Sequence, residues 1–328
     1  MSSDKTLREL ADENDLTLGA SITADAFRKY PDDPAVAQTL TREFNAVTTG
    51  NALKMGPLRP ERYTYDFEDA DAIVNLGVAN DLLVRGHALV WHNQTPGWFY
   101  PWEYTDDQLR TFLRDHIHTV AGRYRGKVDV WDVVNEAVAD DGTMRETAWY
   151  DAMGEEYIDL AFQWANEVAP EADLFYNDYG IDEINEKADG VYALLERLLD
   201  RGVPIDGVGL QMHAFRAQEY VTPEALGENI RRFKDLGLDV HVTEMDVAYD
   251  RENVPEDHLE HQAQYYRDIL EACLDNGCDT LVTWGVHDTA SWLRNYDQTI
   301  TDDPLLFDED FDPKPAYFAI KDLLESRV

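Results

Sequence analysis

Two glutamates lie at or near the ends of two apolar runs. Glu136 falls near the end of Val128-Asp129-Val130-Trp131-Asp132-Val133-Val134-Asn135-Glu136-Ala137. Glu244 falls near the end of Leu238-Asp239-Val240-His241-Val242-Thr243-Glu244-Met245-Asp246-Val247. Runs this rich in β-branched residues read as buried strands, so a carboxylate at the end of one must be solvated, hydrogen-bonded or functional. Two carboxylates at one mouth suit glycoside hydrolysis with retention. One, protonated, gives its proton to the leaving oxygen, and the other, ionised, attacks the anomeric carbon.

Similar runs carry further groups of the right kind. His87 and Trp91 stand four apart and share a strand face; Gln211 shares one with His213, and Glu244 with Asp246. Asn135 directly precedes Glu136, Asn177-Asp178-Tyr179 ends another run, Trp284 lies in the last one and Trp292 in the loop after it. Tryptophan offers flat faces on which sugar rings stack, and Asn, Gln and His hydrogen-bond hydroxyls. Taken singly, each has a plainer reading. A lone strand histidine is more often structural, and the tryptophans fit an ordinary core. It is their joint occurrence near the ends of several runs that points to a site. No phosphate-binding loop or metal-ligand cluster is evident, and Asp308-Glu309-Asp310-Phe311-Asp312-Pro313 places proline where a calcium loop needs glycine. The reading requires no metal and no cofactor.

The elements that must position these groups alternate. Strands are expected at 16–22, 43–49, 82–91, 128–137, 173–179, 208–215, 238–247 and 280–287. A short helix is expected to lead in, ending near Asn14. Helical spacing recurs between strands, as in Phe67-Ala70-Ile73-Val74 and Tyr192-Leu194-Leu195-Leu198. Strands alternating with helices argue for a parallel sheet, and eight such units argue for closure into an α/β (β/α)8 TIM barrel. No linker, low-complexity stretch or repeat interrupts the 328 residues, so one catalytic domain over 1–328 is the expectation.

Composition bounds the partners. Sixty-six acidic residues against 28 basic ones give a net charge of −38. Nucleic acid and anionic membrane are poor partners for such a chain, and no 20-residue apolar run is present to cross a bilayer. The acids are spread along the chain, as in Asp106-Asp107, Glu155-Glu156 and Asp302-Asp303, and lysine is scarce beside arginine. Self-repulsion on this scale is relieved in molar salt, where the Debye length is about 3 Å, which points to a salt-accumulating source. The start, Met1-Ser2-Ser3-Asp4-Lys5, shows no charged-then-apolar leader, so the expectation is a cytoplasmic monomer, or a secreted protein whose leader has been removed. Cys273 and Cys278 are too few for a disulfide scaffold, and a local bridge between them stays open.

The residues also match a family. WDVVNEA (131–137) and TEMDV (243–247) resemble the two catalytic blocks of family 10 glycoside hydrolases, the retaining β-1,4-xylanases. RGHALVWHNQTPGW (85–98), LFYNDY (174–179), GVGLQMH (207–213), TWGVHDTASW (283–292) and PLLFDEDFDPKPAY (304–317) match in the family's order. The resemblance implies Glu136 as acid/base and Glu244 as nucleophile. It implies Asn135 on the sugar 2-hydroxyl, with His213 and Asp246 orienting Glu244. His87, Trp91, Gln211, Trp284 and Trp292 would line the subsite of the sugar being cleaved, with Asn51 and Lys54 on the next sugar outward. Gln94, Asn177 and Tyr179 are further binding residues by position. The substrate implied is β-1,4-xylan or xylo-oligosaccharides. One block departs: Gly50-Asn51-Ala52-Leu53-Lys54-Met55 has glycine where the family has glutamate, and methionine where it has tryptophan. Loss of a charge-assisted hydrogen bond would weaken that outer subsite by roughly 1.5–3 kcal/mol, which favours an exo-acting or intracellular enzyme on short substrates as the alternative. A carbohydrate-binding barrel without catalysis, and a metal-dependent barrel hydrolase, are the rivals from other classes.

Overall fold

In the computed structural model, residues 4–23, 34–215 and 220–328 are described. Among the described residues nine parallel strands form the sheet: β1 (Thr17–Ser21), β2 (Ala46–Thr48), β3 (Leu83–Val90), β4 (Val130–Asn135), β5 (Asp173–Asp178), β6 (Gly207–Leu210), β7 (His213–Ala214), β8 (Asp239–Val247) and β9 (Thr280–Thr283). Each pairs with its neighbour in order up to β6, which pairs with β8. β9 then returns to β1 through Thr17↔Thr280 and Leu18↔Leu281, closing the ring. β7 is a two-residue extension on β8, so eight strands make the wall and the fold is the expected (β/α)8 barrel.

Helices pack outside the wall, each showing it an apolar stripe. The helix Glu68–Ala79 buries Ala70, Ile73 and Val74, and Glu186–Asp200 buries Leu194, Leu195 and Leu198. Capping boxes set two of the described starts: Thr6 with Glu9 ahead of Leu7–Glu13, and Thr105 with Gln108 ahead of Asp106–Arg123. Residues 1–3, where a leader would begin, lie outside the described residues. No described helix is long and apolar enough to cross a membrane. Cys273 and Cys278 are both buried free thiols.

Three strand expectations need correction. Glu43 does not open β2 but ends the helix Ala35–Glu43, and its buried carboxylate accepts from the Leu7 N–H and the Tyr317 hydroxyl, both at 3.0 Å. The run 208–215 is not continuous; it breaks at Gln211 and Met212, where Met212 has φ +61°. The last strand stops at Thr283, before Trp284 and His287.

The barrel interior is not wholly apolar. Inside it, the Arg85 guanidinium pairs with Asp132, both buried, and contacts Nδ1 of His241 at 3.1 Å. Burial and the Arg85 charge push His241 well below its ordinary pKa, so it accepts this bond as a neutral ring. His87 then donates to Asp132 at 2.9 Å, joining the interior ion pair to the barrel mouth. On the opposite face of the same two strands, Gly86 leaves room for the Trp131 ring, since a Cβ there would lie 2.4 Å from it.

Candidate active site

The C-terminal ends of the strands open into a cavity of about 750 Å³. Of the residues expected there, Glu136, Glu244, His213, Asn135, Asn51, Lys54, His87, Trp91, Gln94, Tyr179, Gln211, Trp284 and Trp292 all line it. Two do not. Asp246 and Asn177 are fully buried beneath the floor. For Asn177 this corrects the expectation of substrate contact. Its amide donates to Oε1 of Glu244 at 2.8 Å and to Asn135 Oδ1 at 2.9 Å, and its oxygen accepts from the Thr243 hydroxyl.

Backbone geometry explains how adjacent residues reach one mouth. Asn135 and Glu136 should point to opposite faces of a regular strand. Glu136 instead adopts φ +58°, ending the ladder and turning its side chain inward beside Asn135. Gln94 (φ +48°) and Met212 (φ +61°) are also left-handed. Left-handed backbone at non-glycine residues is uncommon and gathers at functional sites. Met212 is pinned by its N–H, which donates to the buried carboxylate of Asp182 at 3.0 Å. Gln211 and His213 flank this kink, and each reaches one of the two glutamates.

Glu136 accepts from Trp91 Nε1 at 2.9 Å, Gln211 Nε2 at 3.1 Å and Asn135 Nδ2 at 3.2 Å. Glu244 is held differently. His213 Nε2 approaches its Oε2 at 3.3 Å, and His87 Nδ1 its Oε1 at 3.9 Å. The other nitrogen of His213 donates to Asp246 Oδ1 at 3.0 Å, and Trp292 Nε1 donates to Asp246 Oδ2 at 2.8 Å. Burial pushes the Glu244 carboxyl up, but His87, His213 and Lys54 outweigh it and hold it below the usual range. Burial likewise disfavours a charged His213, yet Asp246 and Glu244 raise it to about 10. The buried Asn135, Asn177 and Gln211 amides link the two carboxyl groups: Gln211 Nε2 also reaches Asn135 Oδ1, at 3.3 Å.

The walls are aromatic. Trp284 meets the His87 ring edge-on at 5.1 Å, and Lys54 Nζ sits 4.5 Å above the Trp91 ring while donating to Asn51 at 2.8 Å. Gly50 has φ +49°, and a Cβ there would lie 2.5 Å from the Ile22 carbonyl oxygen. Glycine is thus a backbone requirement at this position and not only a missing carboxylate. Gly50→Glu, the natural test of the outer-subsite expectation, would disturb the backbone as well as add an acid. Met55 is buried and opens a short helix, Met55–Leu58, so it offers no aromatic wall.

Several lining residues escaped the sequence reading: Arg145, Asp182, Glu183, Asn185, His92 and Tyr296. They lie in loops without a repeating pattern, except Tyr296, which ends the short helix Leu293–Tyr296. Only His92, beside Trp91, carried a signal in its neighbour. Arg145 donates to the carbonyl oxygens of Glu136 and Val138, both at 3.0 Å, and to the Tyr179 hydroxyl at 3.1 Å. Tyr179 in turn donates to Asp140, and its ring lies under Lys187 Nζ at 3.1 Å.

A mouth with two glutamates, one held ionised, and tryptophan walls can hold a sugar ring and break its glycosidic bond. Comparison with known proteins agrees. The chain is 43% identical over 329 residues to Endo-1,4-beta-xylanase B of Thermotoga neapolitana, covering 100% of this chain and 94% of that relative. It is 46% identical over 294 residues to a Beta-1,4-xylanase of Dictyoglomus thermophilum, covering 86% and 82%. The crystal structure of xylanase 10B from Thermotoga petrophila RKU-1 in complex with xylobiose superimposes with a TM-score of 0.94 at 39% identity, covering 100% of this chain and 99% of that one. Residues 6–323 match the family model described as Glycosyl hydrolase family 10, and the chain belongs to that family.

Proposed function

We propose that the chain is a retaining endo-1,4-β-xylanase. The observation that carries this is the pairing of Glu136 with Glu244 across one tryptophan-walled cavity, with His87, His213 and Lys54 favouring the ionised form of Glu244. The names of the relatives, and the xylobiose in one of the similar structures, support xylan as the substrate class.

In the first step a Glu244 oxygen attacks the anomeric carbon. The bond to the leaving oxygen breaks as Glu136 delivers its proton there, leaving a glycosyl ester on Glu244. In the second step Glu136 takes a proton from water, the water oxygen attacks the same carbon, and the ester bond breaks with net retention. The His213–Asp246 pair keeps Glu244 charged for attack and as a leaving group. Trp91 and Gln211 aim Glu136 from the other side. Trp284 and Trp292 offer apolar faces to the ring being cleaved.

The test is a time-resolved product profile from xylohexaose in molar KCl, with Glu244→Gln as the blank. Early products of two to four sugars, formed first as the β-anomer, are expected. Stepwise release of xylose would instead favour the second reading, trimming of short oligosaccharides, which Gly50 favours. Turnover of an aryl glucoside but not of xylohexaose would leave the mechanism standing and overturn the sugar.

We further propose adaptation to high salt, supported by the net charge of −38. The melting temperature is expected to rise steadily with KCl up to molar concentrations. A flat response, with sucrose stabilising as usual, would remove this reading.

A further inference from the structure

The turn that carries Glu136 is gripped from two sides. On the cavity side, Arg145 holds the carbonyl oxygens of Glu136 and Val138, and its own N–H donates to the Ala137 oxygen at 2.8 Å. On the buried side, one atom takes both following amides: the N–H groups of Ala137 and Val138 donate to the Tyr176 hydroxyl at 3.0 and 3.2 Å. The ladder between β4 and β5 has ended there, because the left-handed Glu136 gives its N–H to the Asn177 oxygen and turns the chain away. Without the hydroxyl, two buried N–H groups would lose their partner.

The hydroxyl is itself fixed. Tyr176 is fully buried and donates to Oδ2 of Asp178. The other oxygen of Asp178 accepts from the Tyr179 N–H at 2.9 Å and lies 3.0 Å from Lys187 Nζ. Burial raises the Asp178 pKa to about 6, with Lys187 opposing the rise; above that pH the ionised Asp178 requires the tyrosine hydroxyl to donate to it, which leaves the hydroxyl's lone pairs facing the two amides. None of Tyr176, Asp178 and Lys187 lines the cavity, so none can touch a substrate there. Tyr176 reaches the chemistry through the backbone beside Glu136, while Asp178 also sets a negative charge near that of Glu136.

We propose that Tyr176, braced by Asp178 and Lys187, is a positioning residue that sets the aim of the Glu136 carboxyl. This rests on Glu136 being the acid/base. A proton donor displaced by about 1 Å loses on the order of a hundredfold in rate, and only for bonds that need the proton.

That selectivity separates positioning from general stability. The experiment measures kcat/KM, which reports the first chemical step, for aryl β-xylobiosides whose leaving groups range from 2,4-dinitrophenolate to phenolate. Tyr176→Phe removes the hydroxyl and keeps the ring. Expected is a change of less than about twofold with dinitrophenolate, and a loss of about tenfold or more with phenolate, the signature of impaired acid assistance. Equal losses on both substrates, or none on either, would overturn the proposal. Asp178→Asn still accepts from the hydroxyl but gives up the charge, so it should show the same selective loss in smaller measure. If Tyr176→Phe does not fold, Asp178→Asn carries the test under the same criteria. Glu136→Ala in the same series is the control. A selective loss there without one in Tyr176→Phe sinks positioning alone, whereas no selective loss in Glu136→Ala sinks the acid/base assignment and the proposal with it.

Discussion

Replacing Asp246 with asparagine asks whether Glu244 is flanked by a permanent charge. Asp246 is fully buried, with one oxygen 3.0 Å from His213 Nδ1 and the other 2.8 Å from Trp292 Nε1. Burial alone would strip the proton from His213. The carboxylates of Asp246 and Glu244 reverse this and raise its pKa from 6.5 to about 10. A pKa raised in the folded state contributes stability that is complete below about pH 6.5 and is lost as the pH climbs through 10. The gap is 10 − 6.5, or about 3.5 units, and at 1.36 kcal/mol per unit it is worth on the order of 5 kcal/mol. Asparagine keeps the shape and can accept one hydrogen bond, but it withdraws the charge that does most to raise His213. At pH 6 the variant should therefore lose about 3–5 kcal/mol, as expected when one partner of a buried ion pair is removed. At pH 9.5 native His213 has already lost most of this stabilisation, so the difference between the two proteins should narrow by about 3 kcal/mol. Urea unfolding of both proteins at the two pH values, at one fixed KCl concentration, measures this directly. A penalty that is the same at both pH values would mean His213 is neutral in the native protein. The electrostatic account of Glu244 would then be wrong.

Two further perturbations follow from the same geometry. Gly50→Ala should destabilise the fold by about 1–3 kcal/mol, because residue 50 has φ +49° and the new Cβ would lie 2.5 Å from the Ile22 carbonyl oxygen; an unchanged urea midpoint would show that the chain there relaxes freely. Lys54→Met removes one of the cations that hold Glu244 below the usual carboxylate range, so the acidic limb of the kcat/KM profile should move to higher pH. A limb that stays in place would leave His87 and His213 as the cations that matter.

Much of the barrel was legible because strands buried on both sides are written as apolar runs. β5 and β8 begin within a residue of expectation, and the expected span of β3 overshoots by one residue at each end. The failures have local causes. Glu43 reads as the start of a strand, but it ends a helix, and its carboxylate is satisfied inside the fold by the Leu7 amide and the Tyr317 hydroxyl. The break at Met212 depends on Asp182, thirty residues away in the chain, and no pattern in either segment announces it. Gly50 was legible as a missing acid but not as a left-handed residue pressed against Ile22.

The site divides the same way. Residue type and strand position are local properties, so the order of the elements, the closed parallel barrel and the identity of nearly half of the cavity-lining residues, both glutamates included, were already written in the chain. Hydrogen-bond partnership and protonation are not local. Only the folded barrel decided that Asn177 lies under Glu244 and off the cavity wall. Only there does Glu136 turn on a left-handed backbone to stand beside Asn135. The opposed settings of burial and charge that make His213 an imidazolium exist only where strands far apart in sequence meet. Amphipathic period and chain order specify a wall; the field inside it is a sum over groups that the wall brings together.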